Sequence, residues 1–298
     1  VSAGFGGYVT NVEMFDESCF GVSPAEAIYM DPQQRLILEQ AGKLVSAEGG
    51  RLIATNGVQG KLPAEVGATM GVYVGIATSD YTVIVNAKAR LPATAFTATG
   101  RAMSVAAGRL SYVYAAQGPS VIVDTACSSS LVSTHLAHSS WALGQVESAM
   151  VSGVNLTLEP GTTATFQVAG MLAPDGRCKT LDAAADGYVR GEACVMLVTK
   201  DTKATTEMSQ RIAVLSGSHV NQDGRSSSLT APNGPAQQTA IRSALHAANA
   251  AAQEVGALQL HGTGTALGDP IEVGGACAVL MNGAHTSSAA RHGALVLQ

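Results

Sequence analysis

Two short stretches of the chain combine residue types that can do chemistry. In the first, Val121-Ile-Val-Asp-Thr-Ala-Cys-Ser-Ser-Ser-Leu-Val, an apolar run leads into Cys127 and three serines follow it. That order predicts a thiol on a tight strand-to-helix turn, the geometry of a nucleophile elbow. A helix N-terminus leaves N–H groups unpaired and carries a partial positive charge, and both stabilise a thiolate. The same groups can hold the oxyanion formed when the thiolate attacks a thioester. A buried structural Cys followed by a Ser cap fits the spacing equally well. In the second stretch, Leu258-Gln-Leu-His-Gly-Thr-Gly-Thr-Ala-Leu-Gly-Asp-Pro-Ile-Glu-Val, a strand ends at His261. Gly262 and Gly264 permit backbone conformations closed to other residues and bring Thr263 and Thr265 close to a ligand. A neutral imidazole at that place can donate to a carbonyl that becomes an enolate. A turn kept glycine-rich for steric reasons, with His261 a satisfied core histidine, has the same letters.

Positioning these residues takes buried strands and the helices that follow them. Strand-like runs are expected at Val72–Ala77, Val121–Asp124, Ala149–Val154, Ala193–Thr199, Ile212–Ser216 and Leu258–Leu260. Helical patterns intervene at Pro32–Lys43, Ser128–Leu143 and Gln237–Ala252, and Asp269-Pro270 reads as a further helix start. Asp31 followed by Pro32 is a strong N-terminal signal. Apolar strands alternating with helices predict an α/β fold whose strands are buried on both faces. No linker composition interrupts the chain. Asp201–Met208 reads as a solvated surface loop and a candidate joint between two halves.

Composition narrows the function classes. The 298 residues are 46% hydrophobic and 13% charged, about half the usual share of charge, so a large core is expected and disorder is excluded. A net charge of −5 with no basic run argues against nucleic acid as the main partner. No apolar stretch is long enough for a membrane span. The five cysteines make an odd count without CxxC spacing, so neither a disulfide framework nor a zinc site is expected, and a reducing compartment is. His135 and His138 lie at i, i+3 with no third ligand near, so no metal site is expected. No P-loop or complete GxGxxG occurs, which argues against a nucleotide cofactor.

Taken together, Asp124-Thr-Ala-Cys-Ser-Ser-Ser and His261-Gly-Thr-Gly-Thr-Ala-Leu-Gly-Asp-Pro-Ile-Glu resemble the active-site signatures of β-ketoacyl synthases. The cysteine motif is similar to that of ketosynthase domains of type I polyketide synthases and animal-type fatty acid synthases. Agreement continues, in the family's order, through Phe20-Gly-Val-Ser-Pro, Met30-Asp-Pro-Gln-Gln-Arg, Pro174-Asp-Gly-Arg-Cys-Lys, Ala184-Ala-Asp-Gly-Tyr-Val-Arg-Gly-Glu and Val220-Asn-Gln-Asp-Gly-Arg. The resemblance implies a thiolase-like fold, two similar α/β halves in five layers, incomplete here, with residues 1–205 in the first half and 206–298 in the second. It also implies a decarboxylative Claisen condensation. Cys127 accepts an acyl chain, His261 stabilises the enolate, Thr263 and Thr265 bind the phosphopantetheine arm, and Asp269 and Glu272 order the site.

The substrates would then arrive on the phosphopantetheine of an acyl carrier protein, with no cofactor bound to the chain itself. A homodimer, further polyketide synthase domains as partners, and a cytoplasmic or other reducing location are expected. Arg177 and Lys179 are candidates for touching an acidic carrier. A non-elongating acyl-transferring or decarboxylating relative and a non-catalytic partner subunit are the alternatives; Cys127 argues against the second. Complete family members carry further motifs at both ends, including a Lys and a second His that His285 and His292 do not match. The stretch Val1–Gln298 alone is therefore expected not to condense. Arg101, Ala193 and Gln259-Leu260 depart from the usual residues at their positions, and Ser46–Glu65 is a longer loop than expected.

Overall fold

A computed structural model describes residues 5–47, 69–89, 91–201, 212–281 and 296–297. Residues 48–65 of the expected long loop, 202–208 of the expected surface loop, and His285 and His292 lie outside them. In chain order the elements are α1 (Pro24–Ala27), α2 (Pro32–Ala47), β1 (Met70–Gly75), α3 (Asp80–Ile84), α4 (Ala95–Arg101), α5 (Met103–Tyr114), β2 (Ser120–Val123), α6 (Ser129–Ala142), β3 (Ser148–Asn155), α7 (Pro160–Val168), β4 (Ala193–Lys200), α8 (Gly234–Ala248), β5 (Ala257–Leu258), α9 (Gly268–Leu280) and β6 (Val296–Leu297). The chain condenses into two compact units. One comprises Gly7–Thr163 with Gly191–Gln210, the other Val1–Gly6, Ala164–Arg190 and Arg211–Gln298.

The first unit is built on a sheet of order β2-β1-β3-β4. Its first three strands are parallel, and β4 runs antiparallel to β3. Central β1 is buried along its whole length, which accounts for its unbroken apolar run. Side chains alternate across the sheet. Val72 and Val74 face Ile37, Leu38 and Ala41 of α2 and Ala106 and Leu110 of α5. Tyr73, with Ala149 and Val151 of β3, faces Ala137 of α6. The outer strand β4 leaves Val195 and Leu197 exposed, so burial on both faces holds for the centre of the sheet and not for this edge.

Buried polar groups hold α2 in place. The Asp31 carboxylate accepts from Gln33 N at 2.8 Å and from the Ser79 hydroxyl, fulfilling the expected helix start. Burial pushes the Asp31 carboxyl up, against the opposing pull of these hydrogen bonds. Gln34 donates to Gly100 O at 3.2 Å and accepts from Arg109 Nε at 3.1 Å, and Arg109 pairs with Glu26 at 2.6 Å.

In the second unit α8 and α9 pack together, and β5 pairs in parallel with β6. Helix α8 starts three residues before the expected position because Asn233 caps Ala236 N and Pro235 follows. It stops four residues early, where Asn249 takes a left-handed φ of 51°. The expected strand at Ile212–Ser216 is not formed: this segment enters no ladder, and Ile212 is fully exposed. A β-prone sequence becomes a strand only when a neighbour accepts its backbone hydrogen bonds, and no described residue does so here.

Candidate active site

Cys127 occupies a single 3-10 turn, Ala126–Ser128, between the end of β2 and the start of α6. Three side chains tie this turn to itself. Asp124 Oδ1 accepts from Ala126 N at 3.1 Å, and Ser129 Oγ accepts from Thr125 N at 2.8 Å while donating to Ala126 O at 2.7 Å. The Ser128 hydroxyl reaches Thr125 O at 2.9 Å. Ala126 holds φ at 53°, an uncommon conformation for a residue with a Cβ and the local source of the tight bend. The bend leaves Cys127 exposed while Ser129 is buried.

The sheet beneath is shaped to seat this turn. A Cβ at Gly75, the last residue of β1, would lie 2.7 Å from the backbone of Ser129 and Ser130. A Cβ at Gly153 of β3 would lie 2.6 Å from Ser130 Cβ. Both glycines are required by the close approach of α6 to the strand ends. Neither was singled out from the sequence, although glycine inside a strand-like run is the signal for such an approach.

The second motif forms a compact turn of its own. Leu260 is buried and His261 is exposed. The Glu272 carboxylate, from the second turn of α9, accepts from His261 N at 2.6 Å and from Gly262 N at 3.0 Å. Asp269, 4% exposed, accepts from Gly264 N at 3.1 Å and from Leu181 N at 2.8 Å. The Thr263 and Thr265 hydroxyl oxygens lie 3.2 Å apart, and that of Thr265 accepts from Gly268 N at 3.1 Å. Gly262 and Gly264 have φ of 55° and 69°, in the left-handed region. Any side chain at 264 would meet Lys179 N at 2.7 Å.

His261, Thr263, Thr265, Asp269 and Glu272 are thus brought together in one cluster, while Cys127 belongs to the other compact unit. The loop that flanks the cluster, residues 178–187, braces it; of its residues the sequence offers only Lys179 as a candidate, and that for a carrier contact. Its Gly187 N donates to Gly264 O at 3.0 Å. Lys179 pairs with Asp186 at 2.7 Å and with Asp175 at 3.2 Å, so its charge is already matched. Arg177 stands 4.3 Å above the Phe5 ring. His138 stacks on Trp141, and His135 Nε2 lies 3.5 Å from Ser139 Oγ. Among the described residues no three His, Cys, Asp or Glu side chains gather as a metal site would require.

A mixed α/β fold with these two turns is that of the thiolase-like condensing enzymes. Residues 1–205 match the family model "Beta-ketoacyl synthase, N-terminal domain" and residues 212–292 match "Beta-ketoacyl synthase, C-terminal domain". The chain belongs to the β-ketoacyl synthase family, whose members are acyl-transferring enzymes. It is 42% identical over 272 residues to a phenolphthiocerol/phthiocerol polyketide synthase of Mycobacterium tuberculosis, covering 90% of this chain and 12% of that protein. A spectinabilin polyketide synthase system protein of Streptomyces orinoci is 46% identical over 268 residues, covering 90% of this chain and 7% of that protein. Among solved structures, the ketosynthase from module 6 of the Bacillus subtilis bacillaene synthase superposes with a TM-score of 0.77 at 33% identity, over 91% of this chain and 44% of that one. An oxazolomycin ketosynthase domain from Streptomyces albus gives 0.81 at 32% identity, over 93% and 47%. The family is therefore that of ketosynthase domains of type I polyketide synthases, and the chain spans less than half of each solved relative.

Proposed function

We propose that the protein carrying this chain extends a polyketide by decarboxylative condensation. The Cys127 thiolate attacks the carbonyl of an acyl thioester, and the pantetheine thiol of an acyl carrier protein leaves. A malonyl-type unit on a carrier then loses its carboxyl carbon as carbon dioxide, and the electron pair of the broken bond forms an enolate. The enolate carbon attacks the acyl-Cys127 carbonyl, and the Cys127 thiolate leaves as the β-ketoacyl thioester forms. His261 donates to the enolate oxygen. Thr263 and Thr265 hold the amides of the pantetheine arm, while Asp269 and Glu272 keep the turn that presents them. Acyl carrier protein and further synthase domains are the proposed partners. Among the described residues β2 is an edge strand of its sheet, which supports pairing with a second copy. Five cysteines without a disulfide among them support a reducing compartment.

One observation carries the reading: an exposed thiol at the head of helix α6, inside a family match that runs along nearly the whole chain. Incubating the full-length protein with an acyl-carrier thioester and mapping the adduct by mass spectrometry tests it. The acyl group is expected on Cys127 and absent from Cys127→Ala. Label that persists on Cys178 or Cys194 in that variant would overturn the assignment.

A further inference from the structure

The two threonines of the second turn can present their groups to a ligand only if their peptide planes are fixed. Both are fixed from outside the turn. The Gly264 carbonyl, in the peptide that precedes Thr265, accepts from the backbone of Gly187 at 3.0 Å. The Gly262 carbonyl, in the peptide that precedes Thr263, accepts instead from a side chain, the Thr180 hydroxyl at 2.6 Å. A peptide group is planar, so holding the Gly262 carbonyl also aims the Thr263 N–H. The restraint matters because Gly262, at a φ of 55°, is the residue type with the widest choice of other conformations.

Thr180 is itself held on both sides. The next residue, Leu181, donates its N–H to buried Asp269, and the one before it, Lys179, is paired with Asp175 and Asp186. We propose that Thr180 is a positioning residue: its hydroxyl holds the Gly262–Thr263 peptide in the orientation that presents Thr263 to the pantetheine arm of a carrier-bound thioester. The second half of that statement rests on the function proposed above; the first half does not. Thr180 is not buried, so replacing its hydroxyl leaves no buried polar group unpaired and should not disturb folding.

The test compares Thr180→Val, which keeps the shape and loses the hydroxyl, with Thr180→Ser, which keeps the hydroxyl. In the full-length protein, amide hydrogen exchange across residues 261–265 is read without substrate, and kcat and KM are read for decarboxylation of a malonyl-carrier thioester. Thr180→Val should exchange faster in the turn and raise KM about tenfold, the worth of one hydrogen bond, with little change in kcat. Thr180→Ser should behave as the parent on both counts. Unchanged exchange in Thr180→Val, or a serine variant as impaired as the valine one, would overturn the proposal. His261→Ala is measured alongside. If it decarboxylates at the parent rate, the proposed function of the turn fails, and exchange alone still decides whether Thr180 positions the peptide.

Discussion

At the residue scale the thiols of the chain are set apart by their surroundings. Burial, and then the Glu39 carboxylate, push the Cys194 thiol up to about 12, whereas Cys127 is exposed at a helix start. A dilute alkylating reagent near neutral pH should therefore modify Cys127 and leave Cys194 untouched, as peptide mapping will read; modification of Cys194 first would contradict this account. For His261, replacement by Ala should preserve acyl loading on Cys127 but slow decarboxylation about 10²–10³-fold, because the enolate oxygen loses a preorganised donor. Single-turnover loading and carbon dioxide release, measured separately, check both halves. Asp31 gives a pH dependence. Its folded pKa is raised, so its contribution to stability is fully present below the unfolded value and is lost as pH rises through the folded one. Asp31→Asn keeps the cap and removes the cost of burying charge. Urea unfolding should show the variant at least as stable as the parent at neutral pH, with its advantage shrinking as pH falls through the raised folded value and gone below the unfolded one, about pH 4. An advantage that grows on acidification would be inconsistent with this sign.

At the element scale the strand ends decide where the nucleophile helix can sit. Gly75→Ala would place a methyl group 2.7 Å from the α6 backbone, which cannot move aside as a side chain can. A loss of roughly 1–3 kcal/mol is expected, the cost of overpacking, together with slower acylation of Cys127. Gly108 provides the contrast. It lies within α5, exposed, and a methyl group there would meet nothing within 4 Å, so Gly108→Ala should gain about 0.5–1 kcal/mol from helix propensity alone. Trp141, the single tryptophan of the chain, lies on α6 and reports its unfolding by fluorescence. Equal effects of the two substitutions would mean that Gly75 does not serve to seat α6.

At the scale of the whole molecule, light scattering on the full-length protein should return twice the mass of one chain, in keeping with the place of β2 at the edge of its sheet among the described residues; a monomer with full condensing activity would argue against the proposed pairing. The same scale separates what the letters determine from what folding decides. The order of residues around Cys127 and around His261 was sufficient to predict a strand-to-helix turn and a glycine turn, because such turns depend on neighbours a few positions apart. The caps at Asp31 and Asn233 are equally local, each a side chain that accepts from a backbone N–H two or three residues on. Ile212–Ser216 shows the limit of that reading, since its residues favour a strand and it pairs with none of the described residues. Only the tertiary structure could show that Gly75 and Gly153 clear room for α6, or that the loop at 178–187 braces the His261 turn. Those contacts join residues far apart in the chain, as with Thr180 and Gly262 at a separation of 82. No periodicity or spacing records such a pairing, because it exists only once the sheet and the helices have packed.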